Sequence, residues 1–157
     1  PYETFLNQLN TETTVILKKA SEINTIPANS KVIVGFHKDN STAYKPYKIS
    51  DSSKKVLSDL SKNQTVILDV FGSPYALKDI DISKVSTVLV SYENNDDAMK
   101  ATASGLLGQT KIWGRLPVLV NDNLKFGIGM DVDAKITTNQ TDRKNSSETK
   151  NSKTVIE

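Results

Sequence analysis

Val66-Ile67-Leu68-Asp69-Val70-Phe71-Gly72-Ser73-Pro74-Tyr75-Ala76-Leu77 is the stretch that decides the fold class. Its first six residues are apolar except for Asp69, and several are β-branched. A second stretch, Thr87-Val88-Leu89-Val90-Ser91-Tyr92-Glu93, repeats the form, and Gly114-Arg115-Leu116-Pro117-Val118-Leu119-Val120 follows it. Such runs are too short for helices and too uniformly apolar for exposed strands. They suit central strands of a parallel sheet covered on both faces. Each run stops at a break, Gly72 and Pro74 in the first case and Glu93-Asn94-Asn95-Asp96-Asp97 in the second. Ligands and partners of open α/β sheets sit where strands end. The expected fold is therefore α/β: a three-layer sandwich with a mainly parallel sheet and helices on both faces.

Outward from this centre, Lys31-Val32-Ile33-Val34-Gly35-Phe36 is a further strand, and Thr13 to Leu17 is expected to be another. Tyr2 to Leu9 carries Phe5, Leu6 and Leu9 at helical spacing, a short helix or arm. Ser50 or Asp51 is placed to cap a helix reaching about Lys62, with Val56, Leu57 and Leu60 facing inward. Asp96 or Asp97 is expected to cap a helix from about Ala98 to Leu107, which Gly108 ends. Trp113 to Leu116 reads as a turn and Pro117 to Val120 as a short final strand, Pro117 suiting a first or edge position. Residues 137–153 contain no apolar side chain and cannot offset the entropy of ordering. The expected organisation is an arm at 1–12, an α/β domain at 13–130 and a polar tail or linker at 131–157.

A chain of 157 residues is long enough for one domain with a real core. Its 20 basic and 18 acidic residues nearly balance, so the strong basic bias of nucleic-acid binding is missing. With no cysteine, disulfides, thiolate catalysis and cysteine-ligated metals are excluded. No apolar run approaches the roughly 20 residues of a membrane span. The chain opens Pro1-Tyr2 rather than with methionine, which reads as a mature product or a cut fragment.

The chemistry-bearing residues gather at expected strand ends. His37, the only histidine, follows a strand and stands two residues before Asp39, at the start of a long polar and aromatic segment with Tyr44, Pro46 and Tyr47. Loops of that length in compact domains serve function or domain contact. The plainer role for His37 is a loop histidine bonded to a neighbour. Glu93 and Tyr92 end the second apolar run. His37, Asp39, Tyr44, Tyr47, Tyr92 and Glu93 are thus the candidates for ligand or interdomain contact. Asp69 inside an apolar run needs a partner, since an isolated buried charge is costly. Ser52-Ser53-Lys54-Lys55 lacks the companion motifs of a serine acyl enzyme. Gly105 to Lys111 lacks the Gly-Lys-Ser/Thr ending of a phosphate loop. Nothing implies a metal or a cofactor.

The ordered set Phe-Gly-Ser-Pro-Tyr-Ala-Leu at 71–77, Ser-Tyr-Glu-Asn at 91–94, Leu-Leu-Gly at 106–108 and Gly-Arg-Leu-Pro-Val at 114–118 resembles the C-terminal α/β domain of family 3 glycoside hydrolases. The β-N-acetylglucosaminidase-like branch is the most similar. His37-Lys38-Asp39-Asn40 and Tyr44 to Ser50 extend the resemblance, which covers about residues 13 to 129. It implies a companion domain to a catalytic (β/α)₈ barrel in the same polypeptide, with carbohydrate as a further partner and an exported or periplasmic location. The family's nucleophile lies in the barrel, so the resemblance carries no catalytic residue onto this chain. Two other roles stay open on the residues themselves: a stand-alone small-ligand-binding α/β module, and a structural spacer between domains.

Overall fold

The computed structural model describes residues 2–38 and 47–135. Asp39 and Tyr44, and the polar run at 137–153, lie outside the described residues. The protein is α/β. Three strands, β1 (Lys31–His37), β2 (Thr65–Phe71) and β3 (Thr87–Val90), form a parallel sheet in the order β1-β2-β3. The helices are α1 (Tyr2–Leu9), α2 (Asp51–Leu60) and α3 (Asp96–Leu106). Short 3₁₀ turns at Ala20–Thr25 and Pro74–Asp79 complete the regular elements among the described residues.

Strand β2 is bonded on both sides, with Leu68 opposite both Val34 of β1 and Val88 of β3. Side chains alternate across a sheet, so its two faces carry different residue sets. Val66, Leu68 and Val70 meet Phe36 of β1, Leu57 and Leu60 of α2, and Ala76, Leu77 and Ile80 in one core cluster. Phe71 points the other way, into a second cluster with Phe5 and Leu9 of α1 and Met99, Ala103 and Leu107 at α3. The Phe5 and Phe71 rings meet edge to face with centroids 5.5 Å apart. A strand covered on both faces favours apolar residues at successive positions, which is why its sequence, Asp69 apart, does not alternate.

Local chemistry sets the helix ends. Ser50 caps α2 by accepting the Ser53 N–H. Asn95, rather than Asp96 or Asp97, caps α3 by accepting the Ala98 N–H at 2.8 Å, so the helix starts at Asp96. The two aspartates occupy the first turn, where carboxylates complement the helix dipole. Gly105 lies where an added Cβ would meet the Ile112 side chain at 2.9 Å. Gly108, at φ +76°, ends the helix in the left-handed region.

Two expected strands do not form. Residues 14–19 are irregular, and the Val15 N–H goes to the Asn10 side chain at 2.7 Å instead of to a neighbouring strand. Only Val15 of that segment packs on the core, while Ile16 and Leu17 are exposed. Pro117 to Val120 is not a strand either. It belongs to an irregular hairpin in which Ile112 pairs antiparallel with Val132, the Leu116 N–H bonds Ile128 O, and the Val120 N–H bonds Leu124 O. Leu116 and Val120 reach into the first core cluster. Beyond Asp131, Val132 closes this hairpin and the Lys135 N–H bonds Gly108 O at 2.7 Å.

The different burial of β2 and β3 separates two substitutions. Leu68 is fully buried, so Leu68→Ala should cost about 2–5 kcal/mol in urea unfolding. Leu89 is half-buried on a four-residue strand, and Leu89→Ala should cost under about 2 kcal/mol. Equal losses, or a Leu68→Ala cost below about 0.5 kcal/mol, would show that β2 is not the central strand.

Candidate functional site at the strand ends

The three parallel strands deliver His37, Gly72-Ser73 and Ser91-Tyr92-Glu93 to one edge of the sheet. His37 pairs in register with Phe71, and its ring stacks on the Phe71 ring at 4.5 Å with an interplanar angle of 13°. The ring folds back over Gly35, where an added Cβ would sit 2.8 Å from Nε2. Its Nδ1–H donates to Asn94 Oδ1 at 2.9 Å, a bond that joins the end of β1 to the β3–α3 loop. Burial holds the imidazole below its ordinary pKa, and the Asn94 bond opposes that shift.

Tyr92 and Glu93 follow β3 through a tight reversal. The Glu93 N–H bonds Ser91 O at 2.6 Å, and Tyr92 between them has φ +60°. That is a γ-turn with its central residue in the left-handed region, a strained conformation for a tyrosine. Glu93 accepts a bond from the Asn95 side-chain amide, so its carboxylate braces the α3 cap. Tyr92 is partly exposed, and desolvation raises its phenol pKa. Tyr47 lies 6.1 Å from Tyr75 between ring centroids, both rings partly exposed. The structure therefore couples His37 to Asn94, Glu93 to Asn95 and Tyr47 to Tyr75.

Asp69 lies behind this edge with no exposed surface. No cation faces it. Thr102 Oγ1 and Ser91 Oγ lie 2.6 Å apart, and Ser91 Oγ–H donates to Asp69 Oδ1 at 2.8 Å, so the threonine hydroxyl donates in turn to the serine. Asp69 Oδ2 has no hydrogen-bond partner among the described residues. Burial raises the carboxyl pKa to about 6, while the Ser91 hydroxyl and the Val70 N–H pull it down. The required partner is thus a pair of hydroxyls from β3 and α3.

Asn94 falls in the polar break after β3, whereas Tyr75, Ser91 and Thr102 join this edge without having been singled out in the sequence. Only Tyr75 carried a signal, as the aromatic residue after Ser73-Pro74. Two depressions, of about 180 and 330 Å³, open at the opposite ends of the strands beside Asn63 and Gln64, away from His37 and Glu93. No group of three or more histidine and carboxylate side chains among the described residues is placed to hold a metal ion. No helix among them is long and apolar enough to cross a membrane. No protein-family model, curated protein or solved structure matches the chain.

The Asp69 geometry sets a pH dependence. Its folded pKa, about 6, stands above the ordinary 3.8, so folding favours the protonated form. The associated stability is complete below about pH 4 and is lost as pH rises through about 6. Ionised Asp69 costs at most about 3 kcal/mol at neutral pH, from 1.36 kcal/mol per unit. Asp69→Asn should raise the urea midpoint at neutral pH and flatten its change between acid and neutral conditions. A lower midpoint at neutral pH would mean that the ionised carboxylate is a net stabiliser.

Proposed function

We propose that this chain is the non-catalytic α/β companion domain of a family 3-like glycoside hydrolase acting on β-linked N-acetylglucosaminides. In this role it packs beside a (β/α)₈ barrel of the same polypeptide and supports the loops around the sugar site. Its two core clusters then belong to the two outer layers of a three-layer sandwich. The observation that carries this proposal is the placement of the motifs: Phe71-Gly72-Ser73-Pro74-Tyr75 leaves β2 and Ser91-Tyr92-Glu93-Asn94 leaves β3 at the edge that His37 also occupies. Motif residues at strand ends serve contact; motif residues inside strands would serve only packing.

The carboxylates support a companion role over a catalytic one. Glycoside hydrolysis generally needs two carboxyl groups flanking a bond, with one free to give a proton. Asp69 is sealed from solvent, Glu93 is engaged by the Asn95 amide, and Asp96 accepts a bond from Thr4 of α1. The two depressions described above lie at the far ends of the strands, which favours domain support at this edge over a stand-alone small-ligand site.

Purified chain should not hydrolyse a chromogenic β-N-acetylglucosaminide; turnover that survives removal of contaminating glycosidases would overturn the companion role. In a polypeptide that joins the chain to its barrel, Tyr47→Ala and Glu93→Ala should lower kcat/KM with little change in the unfolding midpoint. Unchanged kinetics in both variants would leave this edge without a supporting part and favour the structural spacer.

A further inference from the structure

On the sheet face beneath α1 and α3, two titratable side chains stand next to each other. Gly35 of β1 and Asp69 of β2 are partners in register, so both positions project to the same side. His37 and Phe71, two residues further along, project there too, as does Ile33 beside the second core cluster. Gly35 interrupts a strand of valine, isoleucine and phenylalanine, and the His37 ring fills the place its side chain would take. A Cβ added at Gly35 would stand 2.8 Å from Nε2 and 3.4 Å from Cδ2. Stacking on Phe71, at 4.5 Å and 13°, holds the ring there. Neighbouring strands lie about 4.8 Å apart, so the imidazole sits beside the Asp69 side chain within one covered layer.

Few other charges reach this layer. The helices cover it with Phe5, Leu9, Met99 and Ala103, while their own charged residues, Glu3, Asp96, Asp97 and Lys100, are exposed. Glu12, Lys18 and Lys19, on either side of Val15, are exposed as well. Lys38 alternates onto the opposite face of β1, and Tyr92 and Glu93 lie beyond the end of β3. The charge of the amino terminus disfavours a proton on His37. Ser91 satisfies Asp69 Oδ1, but Oδ2 is buried with no hydrogen-bond partner among the described residues. Burial holds the imidazole below its ordinary pKa and pushes the carboxyl up to about 6, so the two titration ranges approach each other.

Both side chains reach the same loop. His37 Nδ1–H donates to Asn94 at 2.9 Å, Asp69 accepts the Ser91 hydroxyl at 2.8 Å, and Tyr92 stands between those two anchors at φ +60°. We propose that His37 and Asp69 bind protons as one linked pair, and that this pair is a pH-sensitive clamp on the strand-end loop from Ser91 to Asn94. The proposal stands independently of the companion-domain role. At neutral pH the ionised Asp69 gives Ser91 a charged acceptor, and the neutral imidazole holds Asn94. The first proton taken up on acidification is distributed between carboxylate and imidazole, because the carboxylate stabilises an imidazolium beside it. A second proton leaves a neutral carboxyl beside a buried imidazolium, and Ser91 loses its charged acceptor. Each step alters one end of the loop.

His37 is the only histidine, so its Cε1–H resonance identifies itself in the NMR spectrum. In the purified chain that resonance should titrate in two steps, the upper one coinciding with ionisation of the Asp69 carboxyl carbon. The amide resonances of Ser91 and Asn94 should move with the same upper midpoint. In Asp69→Asn the upper step should vanish, leaving His37 a single step about 1 pH unit or more lower. Gly35→Ala, whose methyl would displace the ring from beside Asp69, should separate the two titrations while leaving the circular dichroism unchanged. A His37 curve with the same midpoint in the wild type and in Asp69→Asn would overturn the linkage. Wild-type titrations of His37 and Asp69 that share no step would overturn it without recourse to any variant. Ser91 and Asn94 resonances that ignore the upper step would overturn the clamp.

Discussion

Strand β2 is hydrogen-bonded on both sides and covered on both faces, and the rest of the structure is arranged to meet that constraint. Every residue from Leu68 to Phe71 is buried, and five of the eight largest fully enclosed side chains among the described residues (Val66, Leu68, Asp69, Val70 and Phe71) belong to this strand. Parallel sheets bury both faces because their connections cross over them. Here α2 covers one face through Leu57 and Leu60, and α1 with α3 covers the other through Phe5, Leu9, Met99 and Ala103. The two flanking strands pair on one side only among the described residues and are only half-buried along much of their length. Stability is therefore concentrated at the centre of the sheet.

The elements legible in the sequence were those whose burial leaves a local trace. The apolar run of β2, interrupted only by Asp69, was legible because both of its faces need apolar side chains. The Ser50 cap and the Gly108 terminus were legible because they depend on the chemistry of single residues. The segments at 13–17 and 117–120 failed for the opposite reason. β-branched composition says that a residue tolerates extended backbone, but not that a partner strand is available. Val15 bonds a side chain of the preceding turn, and Pro117 begins a segment that pairs irregularly within its own hairpin.

The candidate site was legible as an edge and illegible as a set of bonds. Strand ends could be placed from the breaks at Gly72 and Glu93, and this brought His37, Tyr92 and Glu93 to the same side. The partner of His37 could not be placed, because Asn94 is 57 residues away and reaches it only through the sheet order. Asn94 and Asn95 are chemically alike, yet one engages an imidazole and the other caps a helix. The division of labour depends on backbone direction, which the γ-turn at Tyr92 sets.

That turn has a cost and an identifiable hold. A non-glycine residue in the left-handed region costs of order 1–3 kcal/mol and persists only where its surroundings over-determine it. On its N-terminal side, Ser91 is tied by its N–H to Val70 O and by its hydroxyl to Asp69 and Thr102. On its C-terminal side, Asn94 is held by His37 and Asn95 by the Ala98 N–H, a cap contributing about 1 kcal/mol. Tyr92 is thus fixed between two anchored pairs of residues. The inner anchor contains Asp69, a buried carboxyl whose pKa is pushed up to about 6. A proton gained or lost at Asp69 changes the acceptor of the Ser91 hydroxyl, one residue from the strained tyrosine. Core electrostatics and strand-end geometry therefore meet at Ser91, and the site edge owes its shape to a polar group inside the most apolar strand of the protein.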